Sequence, residues 1–297
     1  MNPPSVPLLG SLVLIGLIAL GAAFDLPRAE TPSTDTTLLP LHVMSFNIRY
    51  NNPDDGEHAW PNRTNRVASV IRFHQPGVAG LQEALIGQIR DLEERLPDYA
   101  WVGVGRADGE DGGEFSPIFY RTDRLELLDH GTFWLSETPE VPGSQSWDAA
   151  LPRIVTWAQF RDRRGDGDTV FYHFNTHFDH RGEQARRESA RLLLEQVDAI
   201  AASRQSVVTG DFNVTPDTEA YRILTERLED ARSLAEAPHG PPGTFSSFTV
   251  GNEANRRIDY IFLRRKAMQV ERFGTLTDQW NGHYPSDHLP VLATVYY

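Results

Sequence analysis

The chain has 297 residues with 28 Lys+Arg against 41 Asp+Glu, a formal net charge of −13, and 40% hydrophobic content. That composition suits one large or two smaller globular domains and argues against capture of long polyanions, which draws on Lys and Arg contacts to phosphates. Cysteine is absent, so disulfides, a thiolate nucleophile and zinc–thiolate sites are excluded.

In chain order, Leu8 to Phe24 is an almost unbroken apolar run. It reads as a secretory h-region or a short membrane anchor within residues 1–28, which predicts an exported protein that touches a membrane only if the segment is retained. "AETPSTDTTLLP", from Ala29 to Pro40, has no helical or strand period and reads as a linker over 29–40. The folded domain is expected over 41–297.

Strand-like runs then recur: "LHVMSFNI", "GVAGLQE", "SPIFYR", "IVTWAQF", "TVFYHFNTHF", "SVVTGDF", "RRIDYIFL" and "PVLATVYY". Helical spacing marks Arg63 to Phe73, Gly87 to Leu96 and, most strongly, Glu183 to Ala202. Adjacent strands around Thr156, Asp166 to Asp168 and Phe171 imply an antiparallel hairpin and hence mixed sheets.

Polar residues end or interrupt these apolar runs: Asn47, Glu83, His177, Asp211, Asn213, Asp259, Asp287 and His288. Each alone is explained by a cap, a turn or a satisfied core histidine. As a set, they are the hard oxygens and imidazoles that phosphate-ester hydrolysis needs: a cation on a non-bridging oxygen, an activated water, and charge stabilisation.

With "QE", "GDFN" and "SDHLPV" in this order, the chain from Leu41 to Tyr297 resembles the endonuclease/exonuclease/phosphatase superfamily. The resemblance implies an α/β four-layered sandwich, with two mixed sheets face to face and helices on the outer faces. It also implies Mg²⁺ or Mn²⁺ on Glu83 and Asp287, with Asn47 assisting. Asp211 and Asn213 would orient water and a phosphate oxygen, unless Asp211 holds a second metal. Asp259 and His288 resemble the family's carboxylate–imidazole pair. Glu114 either orients His177 or belongs to the solvated acidic turn "ADGEDGGE", and Arg153 resembles a phosphate-binding arginine.

Two departures stand out: Gly112 and Gly113 occupy the place of a nuclease tyrosine, and Arg49 that of a second carboxylate. Two inserts, "NNPDDGEHAWPNR" and "FWLSETPEVPGSQSWDAALPR", carry Trp60, Trp134 and Trp147, which either line a cleft or anchor their loops. The expected reaction is hydrolysis of a phosphodiester in a small molecule, phospholipid headgroup or short nucleic acid. A nonspecific nuclease, a phosphomonoesterase and a silent phospho-ligand binder are the alternatives, and a monomer is expected.

Overall fold

The computed structural model describes residues 40–164, 169–251 and 254–297. The apolar segment, the linker up to residue 39 and the turn at Asp166 to Asp168 lie outside them. The described chain runs through β1 (Pro40–Asn47), a 3₁₀ turn (Pro53–His58), α1 (Trp60–His74), β2 (Val78–Gln82), α2 (Ile86–Arg95), β3 (Tyr99–Val102), β4 (Ile118–Arg121) and β5 (Leu125–Trp134). It continues through β6 (Ile154–Asp162), β7 (Val170–His177), α3 (Glu183–Ala201), β8 (Ser206–Asp211), α4 (Glu219–Leu224), β9 (Leu228–Asp230), α5 (Ala231–Leu234), β10 (Asp259–Arg264), β11 (Gln269–Thr275) and β12 (Val291–Tyr296).

The strands form two six-stranded sheets, ordered β11-β12-β1-β2-β4-β3 and β5-β6-β7-β8-β10-β9. In each, one neighbouring pair is parallel, β1 with β2 through crossover helix α1 and β7 with β8 through α3, and the other neighbours are antiparallel. The sheets pack face to face through Val43, Val78 and Val291 on one side and Phe160, Phe171, Val207 and Ile261 on the other. The opposite faces bury Phe46 and Leu81 under α1 and α2, and Phe174 and Val208 under α3 and α4. Four layers result, with both faces of the central strands covered, so these strands read as nearly continuous apolar runs.

Side-chain alternation makes the space between the sheets graded. Along β1, β7 and β8 the inward residues pass from Val43, Phe171 and Val207 through Ser45, His173 and Thr209 to Asn47, His177 and Asp211. The middle level is a polar girder. Gln82 Nε2 donates to Asn175 Oδ1 (2.7 Å), Thr209 Oγ1 donates to the same oxygen (2.9 Å), and Asn175 Nδ2 donates across to Leu81 O (2.7 Å) and Pro117 O (3.0 Å). The backbones come so close here that a Cβ at Gly80 would collide with the side chains of Thr209 and Asn175. The girder fixes one sheet against the other directly beneath the strand ends.

Candidate active site

Because the two central pairs are parallel, their C-terminal ends lie at one edge of the molecule. Asn47, Glu83, His177 and Asp211 therefore converge there. Strands β6, β10 and β12 run antiparallel to them, so their starts bring Arg153, Asp259, Asp287 and His288 to the same edge. His177, Asp211 and Asp259 stand in register across three neighbouring strands.

Asn47 is the hub. Its Nδ2 donates to Glu83 Oε1 and to Asp211 Oδ2, both at 3.0 Å, and its Oδ1 accepts from the Arg49 amide. Glu83 (φ 60°), Asn213 (φ 51°) and Arg49 (φ 56°) all hold left-handed backbone, an unfavourable state for such residues that persists where the surroundings over-determine it. Arg49 is gripped by both oxygens of Asp55 (2.9 and 3.0 Å) and lies 4.0 Å from Glu83 Oε2 and Asp287 Oδ2.

The imidazoles differ in charge. Nδ1 of His288 is 2.8 Å from Asp259 Oδ2, and its Nε2 lies 3.7 Å from Asp211 Oδ2. Burial alone disfavours the imidazolium, but Asp259 and Asp211 override it and raise the His288 pKa well above its ordinary value. His177 is pushed the other way by burial, helped by Arg153 and Arg106. Its Nε2 accepts from Asn213 Nδ2 (3.1 Å), whose second N–H goes to Phe178 O (3.1 Å), leaving the Asn213 carbonyl oxygen for other partners. Asp211 is fully buried, and burial together with Asp259 lifts its pKa to about 7.

Glu114 departs from both expectations. Rather than joining the solvated turn, it makes a two-point ion pair with Arg106 (2.8 Å each), and its Oε2 is 3.8 Å from His177 Nδ1, beyond hydrogen-bond reach. Arg153 is 4% exposed: Nη2 donates to His180 Nδ1 (3.0 Å) and Nε lies 3.5 Å from the buried Asp179 Oδ2, whereas neither Nε nor Nη1 makes a hydrogen bond among the described residues. Of these groups, Arg49, Glu83, Glu114, Arg153, His177, His180, Asp211, Asn213, Asp287 and His288 line a single cleft of about 530 Å³, together with Phe245, Arg256 and Leu151.

The tryptophan question resolves toward anchoring. Trp60 and Trp134 are buried, with their N–H groups given to Asp91 Oδ2 (2.8 Å) and Arg106 O (2.7 Å), and neither they nor Trp147 line the cleft. Sequence reasoning missed Arg106, His180 and Arg256, which carry no motif. It also missed Arg63, whose buried guanidinium gathers the carbonyls of Ile48, Arg49, Tyr50, His58 and Pro285 and so ties together the loops on either side of the metal-type carboxylates.

Residues 44–288 match the model of the Endonuclease/Exonuclease/phosphatase family. An endonuclease/exonuclease/phosphatase of solved structure from Bacteroides vulgatus is 40% identical with a TM-score of 0.82, covering 86% of this chain and 98% of that one. A mannosyl-6-phosphatase from Bacteroides thetaiotaomicron is 37% identical with a TM-score of 0.83, covering 86% of this chain and 100% of its own. Human nocturnin is 25% identical over 304 residues, 90% of this chain and 67% of nocturnin. With that match spanning most of its length, and with the paired mixed sheets and the convergent strand ends in place, the chain belongs to the endonuclease/exonuclease/phosphatase family, whose members hydrolyse phosphate esters.

Proposed function

We propose that the protein is a divalent-metal-dependent phosphatase that hydrolyses the monoester of a small hydroxylated compound, such as a sugar or polyol phosphate, by in-line attack of water. Arg153 carries this reading: on the wall of the cleft that holds Asp211, Asn213 and His288, a buried guanidinium that contacts Asp179 only through Nε, at 3.5 Å, and makes no hydrogen bond through Nη1 among the described residues suits an oxyanion. A monoester is dianionic, and Arg153 with the His288 imidazolium suits that charge better than the single charge of the diester expected from sequence. The likeness to a mannosyl-6-phosphatase supports the same class.

The donor set fits a hard cation. Burial raises the pKa of both Asp211 and Asp287, so this crowd of carboxylates is ill at ease ionised without a positive partner. Glu83 and Asp287, with Asn47 and Asp211 beside them, would hold Mg²⁺ or Mn²⁺. When bound, such an ion neutralises charge on a non-bridging phosphoryl oxygen. Asp211 takes the proton of the attacking water, oriented by the Asn213 carbonyl, as its oxygen bonds to phosphorus; the ester P–O bond opposite breaks, and the departing alkoxide is protonated by solvent water. His288, pinned by Asp259, donates to the phosphoryl oxygens, and Arg153 holds another of them. Export, inferred from Leu8 to Phe24, belongs to the proposal and is checked by cell fractionation.

The test is a metal-supplemented panel after chelation: hexose 6-phosphates, a dinucleotide, sphingomyelin and plasmid DNA side by side. Monoester turnover should vanish with EDTA and return with Mg²⁺ or Mn²⁺. Faster turnover of the diesters, by about tenfold in kcat/KM (~1.4 kcal/mol of transition-state binding), would defeat the monoester reading, and full activity after chelation would defeat the metal.

A further inference from the structure

Outside the cleft, a second set of metal-ligating side chains meets at the rim. His58 closes the 3₁₀ turn, and its ring is stacked on Phe248 with centroids 4.3 Å apart and planes 8° from parallel. His283 closes the tight turn Trp280–His283, sealed by reciprocal backbone bonds of 2.9 and 3.0 Å. Asn281 (φ 53°) and Gly282 (φ 80°) supply the left-handed geometry that such a two-residue turn demands. The two imidazoles meet edge-on, with centroids 5.6 Å apart and planes at 60°, and Glu57 Oε1 lies 3.8 Å from His58 Nε2. One ligand atom from each of Glu57, His58 and His283 lies within 4.8 Å of the other two.

We propose that Glu57, His58 and His283 bind a borderline transition-metal ion, Zn²⁺ being the fitting choice, as a clip between the two loops that frame the metal-binding side of the active site. Two imidazoles and one carboxylate form a zinc-type donor set with a fourth position open to water, and they are the wrong set for Mg²⁺, which prefers oxygen. Tetrahedral bonds of about 2.0–2.1 Å require ligand atoms about 3.3 Å apart. The mostly exposed Glu57 side chain is free to make that adjustment, while Phe248 and the turn hold the two rings in place.

The site has a structural logic. Arg63 joins the His58 carbonyl to the Pro285 carbonyl, so the loops a zinc ion would bridge are already coupled at their bases. One of them carries Asp55, which grips Arg49, and the other leads into Asp287 and His288. A clip at the tips would stiffen both walls without touching a catalytic group, and it stands independently of which ester is cleaved.

Zinc binding to the full chain should be measured by competition with a zinc chromophore in excess Mg²⁺, which occupies the oxygen ligands of the cleft, with Asp211→Asn as the parent because Asp211 belongs to both cleft groupings that offer an imidazole, Glu83–His177–Asp211 and Asp211–Asp259–His288. One zinc per chain should bind and raise the melting temperature. His283→Asn, on the turn, should weaken binding at least about tenfold and abolish the thermal shift, and Glu57→Gln should weaken it less. The clip is refuted if the parent binds no zinc, or if His283→Asn and Glu57→Gln both bind it as the parent does.

Discussion

The two active-site histidines are set to opposite charge states by the groups around each. His288 has a carboxylate at hydrogen-bond distance on one nitrogen and another 3.7 Å from the other, whereas His177 has arginines nearby and an amide N–H on its Nε2. If Asp259 exists to hold His288 charged and oriented, the two act as one unit and their losses should not multiply. We expect Asp259→Asn and His288→Ala each to lower kcat by about 100-fold or more, within the usual range for a positioned acid or base, with the double variant nearly the same as the worse single one. Steady-state kinetics decide it, because multiplied losses would dissolve the pair. Glu114 should behave differently: its two bonds go to Arg106, so Glu114→Gln should couple to Arg106→Ala more than to His177→Ala.

Among the elements, legibility followed burial. Central strands covered on both faces announced themselves as apolar runs, and each was flanked at one end by its polar residue, so β1, β2, β7, β8, β10 and β12 could be read with their site residues attached. The edge strands β3, β5, β9 and β11 could not: β11 (Gln269–Thr275) alternates exposed and half-buried positions, β5 is interrupted by Asp129 to Gly131, and β9 is three residues long. An edge strand covers too little apolar surface to leave a pattern. Arg63 was hidden for the opposite reason, looking like an ordinary polar residue of a helix start while its partners are carbonyls brought in from distant loops. The polar girder was illegible as well, although His173 in it has a measurable consequence. Its Nε2 donates to Thr209 (2.8 Å), its Nδ1 has no partner among the described residues, and burial drives its pKa down to about 3. The unfolded chain, near 6.5, takes up a proton that the folded chain refuses, so this contribution is intact above pH 6.5 and is lost as pH falls from there toward 3. Urea unfolding with EDTA from pH 8 to 4.5 should show stability falling more steeply for the wild type than for His173→Gln below pH 6.5. Parallel curves would show that His173 takes up its proton in the fold as readily as in the unfolded chain.

At the scale of the whole molecule, the question is how an acidic protein handles an anionic substrate. The net charge of −13 works against long-range attraction, and the arginines that line the cleft, Arg49, Arg153 and Arg256, are local. Of these, Arg49 is committed to Asp55 through two bonds, and Arg153 contacts Asp179 only through Nε at 3.5 Å, which leaves Arg256 and the Nη1 side of Arg153 to meet phosphate. Nucleic-acid binding that neutralises six to ten phosphates loses roughly 10³–10⁵ in affinity between 50 and 200 mM salt, because each neutralised phosphate releases condensed counterions. Two or three cationic contacts to a compact phosphate release few, and what salt removes in local attraction it partly restores by screening the repulsion from the acidic surface. For a small monoester, kcat/KM should therefore change by no more than about fivefold between 50 and 300 mM KCl, in either direction, well short of the salt slope of a polyanion binder. The measurement is initial-rate kinetics at fixed free Mg²⁺ across that range, with an oligonucleotide as the second substrate. A steep fall for the oligonucleotide, beginning from a kcat/KM above that of the monoester at low salt, would mean that the cleft engages a run of phosphates and that the small-substrate assignment is wrong.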